Sequence, residues 1–293
     1  MTIFDEKQVQ SEITQLSALK SLVEVYGEIA SIRMRKIRGY VLQNRDFIGA
    51  INDIFKDSLA SYANKIAKLV NKGQIRKGGR VTFLSHNGRT VAVLISANTG
   101  FYGEVIQNTF QMFLKEVRDK DFEVTIIGKL GLSLYLAAEP TRPYTYFDLP
   151  DYGVDDTKLG EVIRHLVQYE ELRVFYGKYV SVVTQKPTMF NISAGTPVSD
   201  KVVKPEHEYI FEPSVEKILM FFETQIFASL FEQSLRESQL AKFASRIMAM
   251  DKAGENIRGK IKEVRLDGLR LEHRIANKKQ LNSLAPIFIK QPW

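Results

Sequence analysis

Leu240, Phe243, Ile247, Met250, Gly254, Ile257, Ile261, Val264, Gly268, Leu271 and Ile275 follow one another in steps of three and four without a slip for five heptads. A strict 3.5-residue period over that length winds a helix left-handedly around a partner helix. Residues 214–285 contain no proline, although all nine prolines of the chain lie from Pro140 onward. Residues 213–293 are therefore expected to form one helical rod, on the order of 100 Å long at 1.5 Å per residue. Gly254 and Gly268 stand in the stripe where leucine is usual, and each costs roughly 1 kcal/mol against alanine. Close approach of the partner helix, opposite a bulky residue such as Tyr26 or Tyr40, would account for them. A rod at one end of a globular chain points to a mechanical or scaffolding task before an enzymatic one.

The partner for this rod lies at the other end of the chain. Residues 1–70 hold no proline and read as a long helix, in which Leu19, Leu22, Tyr26, Ile29, Arg33, Lys36 and Tyr40 repeat the three-four spacing. Asn71-Lys72-Gly73 and Lys77-Gly78-Gly79-Arg80 break the pattern. Then come short β-branched runs, Arg80-Val81-Thr82-Phe83-Leu84 and Val91-Ala92-Val93-Leu94-Ile95-Ser96, joined by the turn His86-Asn87-Gly88. A helix is expected over 102–117, a strand over 122–127, a helix over 156–176 and a strand over 178–184. Residues 188–205 read as a loop and Tyr209-Ile210-Phe211 as a last short strand. Pro140, Pro143 and Pro150 frame a tyrosine-rich connection with no assigned element. Alternating strands and helices give an α/β domain with a partly parallel sheet. The fold expected is therefore α/β: a long antiparallel coiled coil of the N-terminal (1–70) and C-terminal (213–293) helices, with a Rossmann-like α/β domain (74–212) inserted between them.

Composition narrows the task. The chain has 293 residues, 44% hydrophobic and 26% charged, enough for a sizeable core. No run of about 18 apolar residues spans a bilayer, and residues 1–10 lack the basic and apolar regions of a signal peptide. Zero cysteines exclude disulfides, thiolate metal sites and cysteine nucleophiles. His86, His165, His207 and His273 are scattered, with no metal-binding spacing, so neither metal nor cofactor is expected. A reducing, cytoplasmic compartment fits. The net charge of +7 is uneven: residues 240–280 carry eleven Lys or Arg against five Asp or Glu, and Arg33, Arg35, Lys36 and Arg38 form a second cluster. These are either solvated helix faces or an invitation to an acidic partner, whether nucleic acid, phospholipid or acidic loops of another protein.

Ser96-Ala97-Asn98-Thr99-Gly100-Phe101-Tyr102-Gly103 ends a strand and opens a helix, where a Rossmann domain holds a nucleotide phosphate. Its spacing, however, is G-x-x-G rather than G-x-G-x-x-G, and the Lys-Ser/Thr pair of a P-loop is missing. Glu123 lies at the distance of a ribose-binding acid but has no second residue of that signature beside it. The glycines read as a tight strand-to-helix turn.

Several longer motifs are more specific. They are Glu208-Tyr209-Ile210-Phe211-Glu212-Pro213-Ser214, then Glu237-Ser238, then Ala244-Ser245-Arg246-Ile247-Met248-Ala249-Met250-Asp251-Lys252-Ala253-Gly254-Glu255-Asn256. With them go Ile127-Gly128-Lys129-Leu130-Gly131, the turn at 96–103, and Glu28-Ile29-Ala30-Ser31-Ile32-Arg33-Met34-Arg35-Lys36. In order and over nearly the whole chain they resemble the γ subunits of F-type ATP synthases, the central rotor shaft. The resemblance implies a coiled coil turning inside a ring of catalytic α and β subunits, and a globular base docked on the ε subunit and the membrane c-ring. It implies no catalysis on the chain itself and a peripheral place at the cytoplasmic face of the membrane, reached only through the complex.

The residues marked for partner contact are Arg33 on the first helix and Arg246, Arg258, Glu272, His273 and Arg274 on the last. The family's Arg-Gln pair, which contacts the catalytic β subunits, aligns with Glu272-His273, with Arg274 adjacent. Ser21-Leu22-Val23-Glu24-Val25-Tyr26 replaces its Lys-Ile-Thr-Lys-Ala-Met, and the end of the chain carries Ile287-Phe288-Ile289 and Trp293, so the branch is divergent. Two other classes stand as alternatives. A nucleotide-dependent enzyme of the α/β domain would need a phosphate loop, and a basic coiled-coil nucleic-acid binder would bind with a steep salt dependence.

Overall fold

A computed structural model describes residues 6–61, 75–76, 80–81, 84, 86–193, 196–197, 212 and 214–289. Two helices bracket the chain, α1 (Glu6–Ser61) and α5 (Val215–Ile289). Between them run β1 (Ile75–Arg76), β2 (Arg80–Val81), β3 (Thr90–Ile95), α2 (Val105–Arg118), β4 (Glu123–Ile127) and α3 (Lys129–Ala138). They are followed by β5 (Thr145–Phe147), α4 (Asp156–Leu166), β6 (Glu171–Tyr179), β7 (Gln185–Ser193) and β8 (Thr196–Pro197). The packing forms two compact units, residues 1–30 with 247–293, and residues 31–246.

In the first unit the proposed heptad is the shielded face of α5. Among residues 251–283 only Ala253, Gly254, Ile257, Ile261, Val264, Gly268, Leu271 and Ile275 are not exposed. Its counterpart on α1 is Val9, Ile13, Leu16, Val23, Gly27 and Ala30. A Cβ on Gly27 would lie 3.6 Å from Met250 Cβ, and one on Gly268 would lie 2.9 Å from Val9 Cγ1. Eighteen residues up one helix are thus matched by eighteen down the other, which is antiparallel pairing. The stripe expected on α1 faces outward instead: Leu19, Leu22, Tyr26, Ile29 and Tyr40 are 39–55% exposed. Both patterns have the same period, and the charges of Arg33 and Lys36 in the outward stripe disfavour its burial. Gly254 also departs from expectation. It has nothing within 4 Å of where a Cβ would stand, so the close approach lies at Gly268.

The second unit is built on a five-stranded sheet ordered β5-β4-β3-β6-β7, with β7 antiparallel and the rest parallel. Alternate residues of β3 serve opposite faces. Val91, Val93 and Ile95 join a core with Leu159, Val162 and Leu166 of α4 and with Phe227, Phe231 and Leu235 of α5. Ala92 and Leu94 join another with Phe110, Phe113 and Val117 of α2 and Tyr135 of α3. Burial on both faces explains why the strand reads as one apolar run. Arg142 caps the end of α2, donating to the carbonyls of Val117 (2.6 Å), Lys120 (2.9 Å) and Phe122 (2.8 Å). Asp155 caps α4 by accepting from the amides of Thr157 and Lys158. A small antiparallel sheet, β1-β2-β8, accompanies the larger one.

Three local expectations are corrected, and two elements stand where none was assigned. The helix expected over 156–176 stops at Leu166, and Glu171–Tyr179 is a strand beside β3. Leu172, Val174, Phe175 and Tyr176 prefer a pleated surface, and the sheet core takes them. Residues 180–184 are a turn, not a strand, and β7 occupies 185–193, where a loop was expected from 188. α3, unmarked in the sequence, places Gly131 where a Cβ would meet Ser96 Cβ at 2.6 Å. The tyrosine-rich connection contributes β5 to the sheet edge. The expected strand at 209–211, most of that at 80–84 and the helix end at 62–70 fall outside the described residues.

Candidate functional site

From β3 the chain moves outward through β4 to β5, then returns across β3 to β6. The C-terminal ends of β3 and β6 therefore flank a topological switch point, where open α/β sheets receive ligands. Here the chain fills that place itself. The backbone amides of Asn98 (2.9 Å) and Thr99 (2.8 Å), which would hold a phosphate, donate to the carboxylate of Asp151. Thr99 Oγ1 adds a third bond at 2.7 Å. Asn98 is fixed in turn by Asp148 and the Leu149 carbonyl, and it accepts from the amide of Lys129.

The cation facing Asp151 comes from α5. Lys242 Nζ lies 3.3 Å from Asp151 Oδ1 and donates to Ser96 O at 2.8 Å. The lysine and aspartate side chains are only 4% and 10% exposed. Burial pushes the Asp151 carboxyl up, but the Lys242 ammonium and the bonds from Asn98 and Thr99 outweigh it and hold its pKa below the usual range. Burial also lowers the Lys242 ammonium, which Asp151 opposes. Removing either partner would leave a charge buried alone.

Other side chains of the same helix grip the loops around this pair. Arg246 Nη2 donates to Gly100 O (2.7 Å) and Thr99 Oγ1 (3.0 Å), and its guanidinium lies 4.0 Å from the centre of the Tyr102 ring. Ser245 Oγ donates to Tyr102 O at 2.6 Å. Gln239 Nε2 reaches Gly153 O at 2.8 Å and Pro150 O at 3.3 Å, and the Tyr176 hydroxyl donates to Glu237 at 3.0 Å. Burial pushes the Tyr102 hydroxyl up to about 12. Two residues need unusual backbone. Gly128 has φ +98°, and a Cβ there would stand 2.7 Å from Ala97 N. Phe101 has φ +65° and is 69% exposed.

Glu123 is no ribose ligand. It opens β4, at the opposite end of the sheet from the 96–103 turn, and accepts from the Tyr169 hydroxyl and Arg89, which lower its pKa.

The six residues marked for partner contact are not brought together. Arg33 lies over the rings of Tyr152 (5.0 Å) and Phe243 (5.8 Å), and Arg246 stands 5.7 Å from the same Phe243 ring. Arg246, expected on a partner-facing surface, is 6% exposed and bonded within its own unit. Arg258, Glu272, His273 and Arg274 are exposed on α5. Sequence reading missed Asp151, Gln239, Lys242 and Ser245. The available signal was polar residues at 237, 239, 242, 245 and 246 crowded around an apolar seam.

Long terminal helices and an α/β domain whose switch-point crevice is filled by its own side chains define the fold class of this chain. The family model described as ATP synthase matches residues 5–270, and the chain belongs to that family, among its γ chains. The ATP synthase gamma chain of Ruthia magnifica subsp. Calyptogena magnifica is 23% identical over 277 residues, covering 89% of this chain and 90% of its own. That of Elusimicrobium minutum is 27% identical, covering 85% and 87%. Among solved structures, the central stalk and c-ring of Tetrahymena thermophila mitochondrial ATP synthase superposes with a TM-score of 0.56 at 16% identity, over 79% of this chain and 99% of that one. A chain of the OSCP/F1/c-ring assembly of Euglena gracilis mitochondrial ATP synthase gives 0.53, over 89% and 97%. The coiled coil with its α/β domain is the fold these structures share.

Proposed function

We propose that this chain is the central-stalk rotor of an F-type ATP synthase, coupling ion-driven rotation to conformational change in a ring of α and β subunits. The family match over residues 5–270 carries this reading. The chain makes and breaks no bond; ATP chemistry belongs to its partners. Its base docks on the ε subunit and the c-ring, and it sits peripherally at the cytoplasmic face of the membrane. Among the described residues no helix is long and apolar enough to cross one.

Rotation does work only if each orientation of the shaft favours one partner conformer over another, since equal contacts shift nothing. The α1 face carrying Leu19, Leu22, Val25, Tyr26 and Ile29 is apolar and exposed. On α5, Arg258, Glu272, His273 and Arg274 are exposed at positions spread over roughly 200° of the helix. An apolar face on one helix and polar or charged surface on the other make the shaft asymmetric, as the role requires. Arg33 and Arg246 support it from inside. The filled crevice argues against a nucleotide-dependent enzyme, and the family match gives the basic rod a protein partner in place of nucleic acid.

Affinity purification of the tagged chain from mildly solubilised membranes, with mass spectrometry, tests this. Recovery of α, β, ε and c subunits is expected. Recovery of the chain alone, or with nucleic acid released steeply by salt, would overturn it.

A further inference from the structure

Residues 237–246 of α5 are ten consecutive buried positions, although six of them, Glu237, Ser238, Gln239, Lys242, Ser245 and Arg246, are polar. The five other than Ser238 each make a hydrogen bond to the α/β part of the second unit, and four of them reach backbone carbonyls of the loops 96–102 and 150–153. At about 100° per residue these five side chains leave the helix over roughly 200° of its circumference. We propose that this stretch is the torque-bearing joint of the rotor, where the α/β base grips α5 and fixes its rotation about its own axis.

The physical distinction is direction. Phe227, Phe231 and Leu235 also attach α5 to the sheet, but apolar burial is non-directional and tolerates sliding. Hydrogen bonds weaken steeply with angle, so a turn of the helix by one residue would break all five contacts together. Acceptors on main chain make the grip stiffer, because a carbonyl cannot swing away as a side chain can. Beyond Arg246, α5 continues without a break to Ile289, so what turns the gripped stretch turns the rod.

This inference rests on the rotor reading, and one experiment separates the two. Complexes are reconstituted with wild type, Lys242→Met, Arg246→Lys and a sheet-core variant, Phe113→Leu, and the melting temperature of each chain is recorded. Ions pumped per ATP hydrolysed is then measured. Loss of one charge-assisted bond should raise slip about tenfold and lower that ratio in Lys242→Met, and less so in Arg246→Lys. Phe113→Leu should keep the wild-type ratio despite a lower melting temperature. Wild-type ratios in both joint variants would overturn the proposal, and so would an equal loss in Phe113→Leu. If Lys242→Met fails to assemble, Arg246→Lys decides on the same terms. Failure of the wild-type chain to assemble would instead overturn the rotor reading itself, and the joint with it.

Discussion

Two stretches of one helix, residues 237–246 and 251–283 of α5, obey different rules. In the second, only the heptad stripe and Ala253 are shielded, and every other position meets water. In the first nothing is exposed, and Lys242 and Arg246 are as hidden as Leu240 and Phe243. The rod is held by a seam of apolar contacts. The enclosed stretch is held by polar side chains, five of which offset their burial with hydrogen bonds to the α/β part of the unit. Deletions should therefore be costly in the enclosed stretch and mild on the rod.

The largest effect is expected for Lys242→Met, which strands Asp151 in the closed crevice. A loss of about 3–5 kcal/mol in denaturant unfolding is predicted, and the double variant Lys242→Met/Asp151→Asn should lose less than the single one. Equal losses would mean that the pair is not coupled. Next comes Gly128→Ala, which forces a side chain onto φ +98° and against the Ala97 backbone. It should cost about 1–3 kcal/mol, read as a lowered urea midpoint.

Acid should act through the same pair. The folded pKa of Asp151 is depressed, so its contribution is present above about pH 4, the unfolded value, and is lost as pH falls through the lowered folded value. Asp151→Asn should be less stable at neutral pH and show a flatter decline below pH 4. The same slope in both proteins would remove Asp151 from the account.

On the rod the changes are small and of either sign. Gly254→Ala meets open space and should stabilise by roughly 0.5–1 kcal/mol through helix propensity. Gly268→Ala meets Val9 Cγ1 at 2.9 Å and should gain less or lose slightly, which paired thermal melts would resolve. Arg258→Ala and Arg274→Ala should stay within about 0.5 kcal/mol of wild type while weakening assembly with partner subunits.

The same contrast decided what could be read before folding. The rod was legible because one shielded face imposes a period, and Leu240 through Ile275 carry it cleanly. Its partner face was misplaced because α1 holds two apolar stripes of the same period, and only packing selects Leu16, Val23 and Ala30 over Leu19, Leu22 and Tyr26. The apolar period runs on through the enclosed stretch as Leu240 and Phe243, so Gln239, Lys242 and Ser245 fall on the sides that a helix usually gives to solvent. Asp151 was hidden for another reason: it reaches Asn98 and Thr99 across about fifty residues of chain, and no local pattern encodes that contact. Strand β6 feeds both faces of the sheet, so Leu172, Val174, Phe175 and Tyr176 form one apolar run whose period alone does not separate a strand from a buried helix segment.

The absence of cysteine makes the rotor reading directly measurable. Val183, 71% exposed between β6 and β7, can be replaced in Val183→Cys and tethered to a bead, with the catalytic ring of the purified complex fixed to glass. The account predicts that added ATP drives stepwise rotation of the bead in one direction. A bead that stays still while the same complexes hydrolyse ATP would contradict it.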